Sequence, residues 1–213
     1  MSTPNPVTGL LRGVRLTLRC AAWAGLMIGL ALPRPSAAGE GGASAKDRPG
    51  AITVFGGLMT NNHWEDALAP WTLDFRDSTF VGLAASHGVG RFGRRLGFEI
   101  EGQVVRHFGD QDHWEFNLPI IARWKAFPWD EVVDTSMAFG IGPSYASKKP
   151  KVEIDNDGDS RRVLVYWMIE IEAGPPDKAW RAILRLHHRS GAYGLVADEG
   201  GSNAIVIGLR RRF

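Results

Sequence analysis

HWEFNLPIIARWKAF, residues 113–127, alternates with a period of two. Trp114, Phe116, Leu118, Ile120, Ala122 and Trp124 fall on one side, and His113, Glu115, Asn117, Arg123 and Lys125 on the other. Successive side chains of a strand point to opposite faces, so this is a β-strand with one oily and one charged face. No helix period fits it.

The same alternation recurs along the chain. Eight segments show it: Ala51 to Met59, Thr79 to His87, Arg95 to His107, His113 to Phe127, Asp134 to Ala146, Arg161 to Ala173, Ala179 to Ser190 and Asn203 to Phe213. In the sixth, Val163, Val165, Trp167, Ile169 and Ile171 oppose Tyr166, Glu170 and Glu172. In the third, Phe98, Ile100, Val104 and Phe108 oppose Glu99, Glu101, Gln103 and His107. The fifth sets Met137, Phe139, Ile141 and Tyr145 against Ser136, Ala138, Gly140, Gly142 and Ser144, small residues that leave room for long charged neighbours. Helical periodicity is hard to find beyond Leu32.

Alternation alone fits a soluble β-sandwich as well as a membrane barrel. Two features favour the barrel. The chain ends in a strand whose last residue, Phe213, continues the row of Leu209, Ile207 and Ile205, as the terminal strand of outer-membrane barrels does. The connections also alternate in length: Met59 to Ser78, Ser147 to Ser160 and Gly191 to Ser202 are long, whereas Gly88 to Arg94, Pro128 to Val133 and Gly174 to Lys178 are short. Long loops on one rim and tight turns on the other mark an up-and-down outer-membrane barrel; Gly109 to Asp112 is short on the long-loop side. The expected fold is therefore all-β, an eight-stranded antiparallel transmembrane barrel over residues 51–213. Eight strands enclose only side chains, so Glu99, Glu101, Arg123, Glu170, Glu172, Arg181 and Arg185 should pair across the interior. Trp114, Trp124, Trp129, Trp167 and Trp180 are expected as interface anchors.

The N-terminus reads as an address tag. Arg12, Arg15 and Arg19 precede an apolar run from Ala21 to Leu32, and Ser36-Ala37-Ala38 supplies small residues for signal peptidase. Residues 1–38 are expected to be a signal peptide cleaved before Gly39, and residues 39–50, rich in Gly, Ala and Ser, a flexible leader. The single cysteine, Cys20, lies inside the tag, so disulfides, thiolate metal sites and cysteine nucleophiles are excluded from the mature chain. The formal net charge is only +2, and Arg12, Arg15, Arg19 and Arg34 account for that excess before the first acid, Glu40. No basic run interleaved with aromatics suggests a nucleic-acid partner. A hydrophobic fraction of 44% with mean hydropathy −0.14 resembles a soluble protein, but a barrel balances an apolar outside with a polar lumen.

Chemistry concentrates in the seventh segment. Its oily row reads Trp180, Ala182, Leu184, Leu186 and then changes to His188 and Ser190, while Arg185, His187 and Arg189 face the other way. His188 and Ser190 thus project together, outward, at the rim next to the loop Gly191 to Ser202. An imidazole beside a hydroxyl can serve as general base to a serine nucleophile, the activation that ester hydrolysis needs. Elsewhere, His107, Asp110, Asp112 and His113 hint at a metal but read better as a solvated rim. Asp155-Asn156-Asp157-Gly158-Asp159 looks like half a calcium loop without the spaced acid, hence a polar surface loop. Arg189, Arg161 and Arg162 lie toward the outer rim, where guanidinium groups could meet phosphates.

The stretch Leu184 to Phe213, with His188-Arg189-Ser190 near a barrel rim, a Gly-rich loop and one final strand, resembles the PagL family of lipid A 3-O-deacylases. That resemblance implies an eight-stranded outer-membrane barrel with a Ser-His-acid triad on its outer surface, His188 as base, Ser190 as nucleophile and lipid A, in lipopolysaccharide, as substrate. The family usually has Asn after the serine, where this chain has Gly191, and its acid falls on Asn203. Asn203 shares the parity of Ile205 and Ile207 and can orient the ring as a neutral acceptor. Glu199 has the same parity and is the nearest acid if the loop folds back, with Asp198 a poorer choice. Backbone N–H groups of Gly191 to Tyr193 are the candidate oxyanion donors. The expected activity is a lipid-facing carboxylic ester hydrolase that needs no cofactor, as a monomer or homodimer. The alternatives are a non-catalytic barrel with a structural or adhesive role and a soluble barrel or sandwich that binds a ligand.

Overall fold

In the computed structural model, residues 49–213 are described; the expected signal peptide and the expected leader before Pro49 lie outside them. Eight strands follow one another round a closed ring: β1 (Gly50–Thr60), β2 (Phe75–Phe92), β3 (Leu96–Gly109), β4 in two pieces (Trp114–Asn117 and Ile120–Trp124), β5 (Asp134–Ala146), β6 (Val163–Gly174), β7 (Trp180–Ser190) and β8 (Gly201–Arg212). Each pairs antiparallel with its chain neighbours, and β8 closes on β1 from Ala51↔Arg212 to Thr60↔Asn203. Gly50 belongs to β1 rather than to the leader, because its N–H and C=O exchange hydrogen bonds with Phe213. β4 breaks at Leu118-Pro119, since proline has no N–H for the ladder. There the facing strand supplies Gly142, where any Cβ would overlap the Leu118 carbonyl oxygen.

Burial follows the predicted parity. Trp114, Phe116, Ile120, Phe139, Ile141, Ile171, Leu184 and Ile207 are exposed, and Glu115, Asn117, Arg123, Ser136, Glu170 and Arg185 are buried. A water-soluble monomer does not expose an apolar wall running round its whole circumference. The same wall facing hydrocarbon is what an outer-membrane barrel requires, with Trp114 at one end and Trp124, Trp129 and Trp180 at the other as interfacial anchors. Trp167 departs from that set, being half-covered by Trp64 from the first loop.

The lumen is filled by a lattice of ions. Arg123 bridges Glu99 (2.8 Å), Glu170 (3.0 Å) and Glu172 (2.9 Å); Arg185 joins Glu101 (3.0 Å) to Glu170 (2.6 Å). Arg210 and Arg212, not among the expected pairs, hold Glu99, Glu101, Glu172 and Asp134, and Arg181 also pairs with Asp134. A buried charge without a partner is expensive, so each arginine here is matched to a carboxylate, and Arg123, Arg185, Arg210 and Arg212 each join carboxylates of two different strands. This is a plugged barrel, not a pore.

The long loops are not bare connections. The first carries α1 (Trp64–Ala67) and a 3-10 turn (Pro70–Thr72), and the third carries α2 (Lys151–Asp157). Both helices escaped sequence reading because they are only one and about two turns long, with no apolar repeat of their own. Asp155 to Asp159 form the polar surface expected, with the correction that residues 155–157 are the exposed end of α2 rather than loop, while Val152 and Glu153 of the same helix are fully buried; Asp155 pairs with Lys151 and Asp159 with Lys149, so these acids do not converge on one ion. Arg189 is corrected likewise. It points inward, bonded to Glu153 at 2.6 Å and to Ser144 at 2.8 Å, and is unavailable to an external phosphate. His107 and His113 are no solvated rim either: both are buried, with rings stacked at 4.2 Å, and Asp112 turns away to Arg106.

Candidate active site

β7 and β8 carry the site on the outer wall at the long-loop end. The register sets His188 opposite Asn203 and Ser190 opposite Gly201, and Trp167 of β6 flanks His188 on the other side. His188 and Asn203 have the outward parity of Leu184 and Ile207, yet both are buried, because the first loop folds down over them. Trp64 meets Trp167 edge to face at 5.5 Å, and Trp167 lies against the imidazole at 4.4 Å.

Polar contacts fix the imidazole's tautomer. The Asn203 amide donates to the Asn62 carbonyl at 2.9 Å, which turns its Oδ1 toward the ring, 2.6 Å from His188 Nδ1. An amide oxygen only accepts, so Nδ1 carries the proton and Nε2 presents its lone pair. Glu199 lines the neighbouring cleft without bonding the imidazole, as does Asp198. The cleft, of about 680 Å³, is lined by His63, Trp64, Trp167, His188, Ser190 and Tyr193 among others. Ser190 opens into it half-buried, and its Oγ accepts a long bond from the Ala192 N–H at 3.4 Å. His188 and Ser190 line this one cavity without a direct hydrogen bond between them.

The loop after Ser190 is tightly wound. Ala192 and Tyr193 both have positive φ, 54° and 55°, a conformation that L side chains adopt at a cost and that gathers at functional sites. The Gly191 carbonyl accepts from Val196 at 3.0 Å and from Ala197 at 3.3 Å, while the Gly191 N–H is spent on Gly200 at 3.1 Å. Gly191 is therefore removed from the expected oxyanion donors. A side chain there would overlap the Ala197 carbonyl oxygen, which explains glycine at this position. Among the described residues, the Tyr193 N–H is given no backbone acceptor.

The arrangement of strands is similar to that of a solved structure over most of both chains. The fold is that of the outer-membrane enzyme PagL. The TM-score is 0.54 at 11% identity, over 76% of this chain and 99% of that one. Neisserial surface protein A (NspA) aligns at TM-score 0.46, 8% identity, 77% and 97% coverage. LpxR from Salmonella typhimurium aligns at 0.32, 9%, 66% and 54%. No family model and no curated protein matches the sequence. The PagL fold places this chain among outer-membrane β-barrels, consistent with its apolar outer wall.

The residues that sequence reasoning missed come from the first loop: Asn62, His63, Trp64 and Glu65. Asn62-His63-Trp64 is a polar and aromatic cluster in a non-periodic stretch, a signal too local to reveal which strand it would cover.

Proposed function

We propose that this chain is an outer-membrane serine esterase that hydrolyses an acyl ester of lipid A, at the 3-O position by resemblance to PagL. Ser190 Oγ attacks the ester carbonyl, and its proton passes to His188 Nε2. The sugar alkoxide leaves, taking that proton. Water then attacks the acyl-serine, giving its own proton to Nε2, which passes it to the departing Ser190 Oγ, releasing the fatty acid and free Ser190. Asn203 holds the ring and stabilises the transient imidazolium as a neutral acceptor. Rotation of the serine toward Nε2 on substrate binding completes the pair, since catalytic hydrogen bonds commonly tighten only in the complex.

One observation carries the reading: an imidazole whose tautomer is locked by Asn203 shares, with a serine two residues on, a cleft at the long-loop rim that is bounded by Trp167 of the outward-facing row. A structural or adhesive barrel has no use for a locked imidazole there. Ser190→Ala, expressed in a Gram-negative host, is expected to leave lipid A fully acylated, whereas the parent chain removes one acyl group, as read by mass spectrometry. Identical lipid A from both strains overturns the proposal and returns the chain to a non-catalytic role. In purified form the same substitution should lower kcat by about three orders of magnitude or more.

A further inference from the structure

Inside the barrel, at the end beneath α2, lies a second cluster that the esterase reading does not use. His107 near the end of β3, His113 in the turn and Glu115 at the start of β4 are all buried, and one donor atom from each lies within 4.8 Å of the other two. His187 Nε2 bonds the second carboxylate oxygen of Glu115 at 2.8 Å, and the Gln111 amide lies 3.0 Å from His107 Nδ1. Val152 of α2 covers the group, its N–H reaching Gln111 Oε1.

Charge sets this cluster apart. The other lumen carboxylates, Glu99, Glu101, Asp134, Glu170 and Glu172, and Glu153 beneath the lid, each pair with at least one arginine. Among the described residues Glu115, 1% exposed, has the imidazoles of His107 and His187 rather than an arginine as ion-pair partners, with the neutral Asn117 amide donating to it at 2.7 Å. His113 adds a buried Nε2 with no hydrogen-bond partner among the described residues. A buried carboxylate without a paired arginine, beside a buried ring nitrogen without a partner, is a set of ligands short of one positive centre.

We propose that His107, His113 and Glu115 bind a divalent transition-metal ion, with zinc the best match to two imidazoles and one carboxylate. The ion replaces the proton shared between His107 Nε2 and Glu115 Oε2, now 3.1 Å apart. His187 keeps its bond to the other carboxylate oxygen, and Gln111, its amide reversed, accepts from His107 Nδ1 and gives up its long bond from the Val152 N–H; these are the outer contacts that orient metal ligands. Bound there, the ion ties the β3–β4 turn into the lumen and firms the rim under α2.

The test uses the whole barrel chain in detergent micelles, stripped with EDTA, desalted and titrated with zinc chloride near neutral pH. Calorimetry and elemental analysis are expected to give one zinc per chain, with a rise in thermal midpoint. His113→Phe, which keeps a ring for the stack, and Glu115→Gln should each weaken binding at least tenfold, while Ser190→Ala leaves it unchanged. Folding of each variant is checked by heat-dependent gel mobility, and Glu115→Gln serves if His113→Phe does not fold. Substoichiometric zinc in the parent chain, or folded His113→Phe and Glu115→Gln variants that bind as tightly as the parent, overturns the proposal. Zinc binding and ester hydrolysis are read separately, so either can fail alone.

Discussion

At the residue scale the proposed chemistry hangs on which nitrogen of His188 holds the proton. Asn62 decides it at one remove, because its carbonyl takes the Asn203 amide and leaves only the amide oxygen for Nδ1. Asn203→Leu removes that acceptor and frees the wrong tautomer, so kcat should drop by about two to four orders of magnitude with the barrel intact. Asn203→Asp keeps an acceptor and adds the charge that favours the imidazolium, so steady-state kinetics on a fatty-acyl ester should show at least the parental rate. A Leu variant as active as the parent removes Asn203 from the mechanism. The parity that pairs His188 with Ser190 was legible from residues 180–190 alone, since strand direction is a local property. The choice between Asn203 and Glu199 was not, because it depends on how a ten-residue loop sets the β7–β8 register.

At the element scale, two loops carry function on a rigid frame. Gly191→Asn, which would install the residue usual in the PagL family, collides here with the Ala197 carbonyl. The loop must open, so activity should fall at least tenfold while the thermal midpoint of the barrel, set by its strands and lumen, moves little; an active Gly191→Asn variant would show that the loop's winding does not matter. α2 behaves differently. Burial pushes the Glu153 carboxyl above its ordinary value of 4.5, against the pull of Arg189. Because the folded state holds this proton more tightly, the contribution is fully present below the unfolded value and is lost as pH rises through the elevated folded one. Amide exchange in α2 is thus expected to quicken relative to the strands as pH rises above the ordinary carboxyl range, and to lose that dependence in Glu153→Gln. Neither helix was readable beforehand: α1 and α2 exist because Trp64 finds Trp167 and Val152 finds the lumen, contacts far apart in sequence.

For the whole molecule, stability rests on the match between an apolar exterior and an ionic interior. Arg123 alone spans β3, β4 and β6 through three carboxylates. Arg123→Gln should destabilise the barrel by about 3–5 kcal/mol, the usual cost of orphaning buried charges, read from urea-dependent folding in detergent. A change under about 1 kcal/mol would mean that water enters the lumen and shares its charge.

Strand number, inward and outward faces, the order of long and short connections and the outward placing of His188 with Ser190 all followed from the amino-acid sequence, because a period of two is written residue by residue. What the tertiary structure alone decided is which distant groups meet. Asn62 reaches Asn203, Trp64 covers Trp167, Glu153 claims Arg189, and His107, His113 and Glu115 gather beneath a helix. The physical reason is that alternation constrains one strand at a time, whereas loop paths and lumen partners are chosen by ring closure, which acts on all eight strands together.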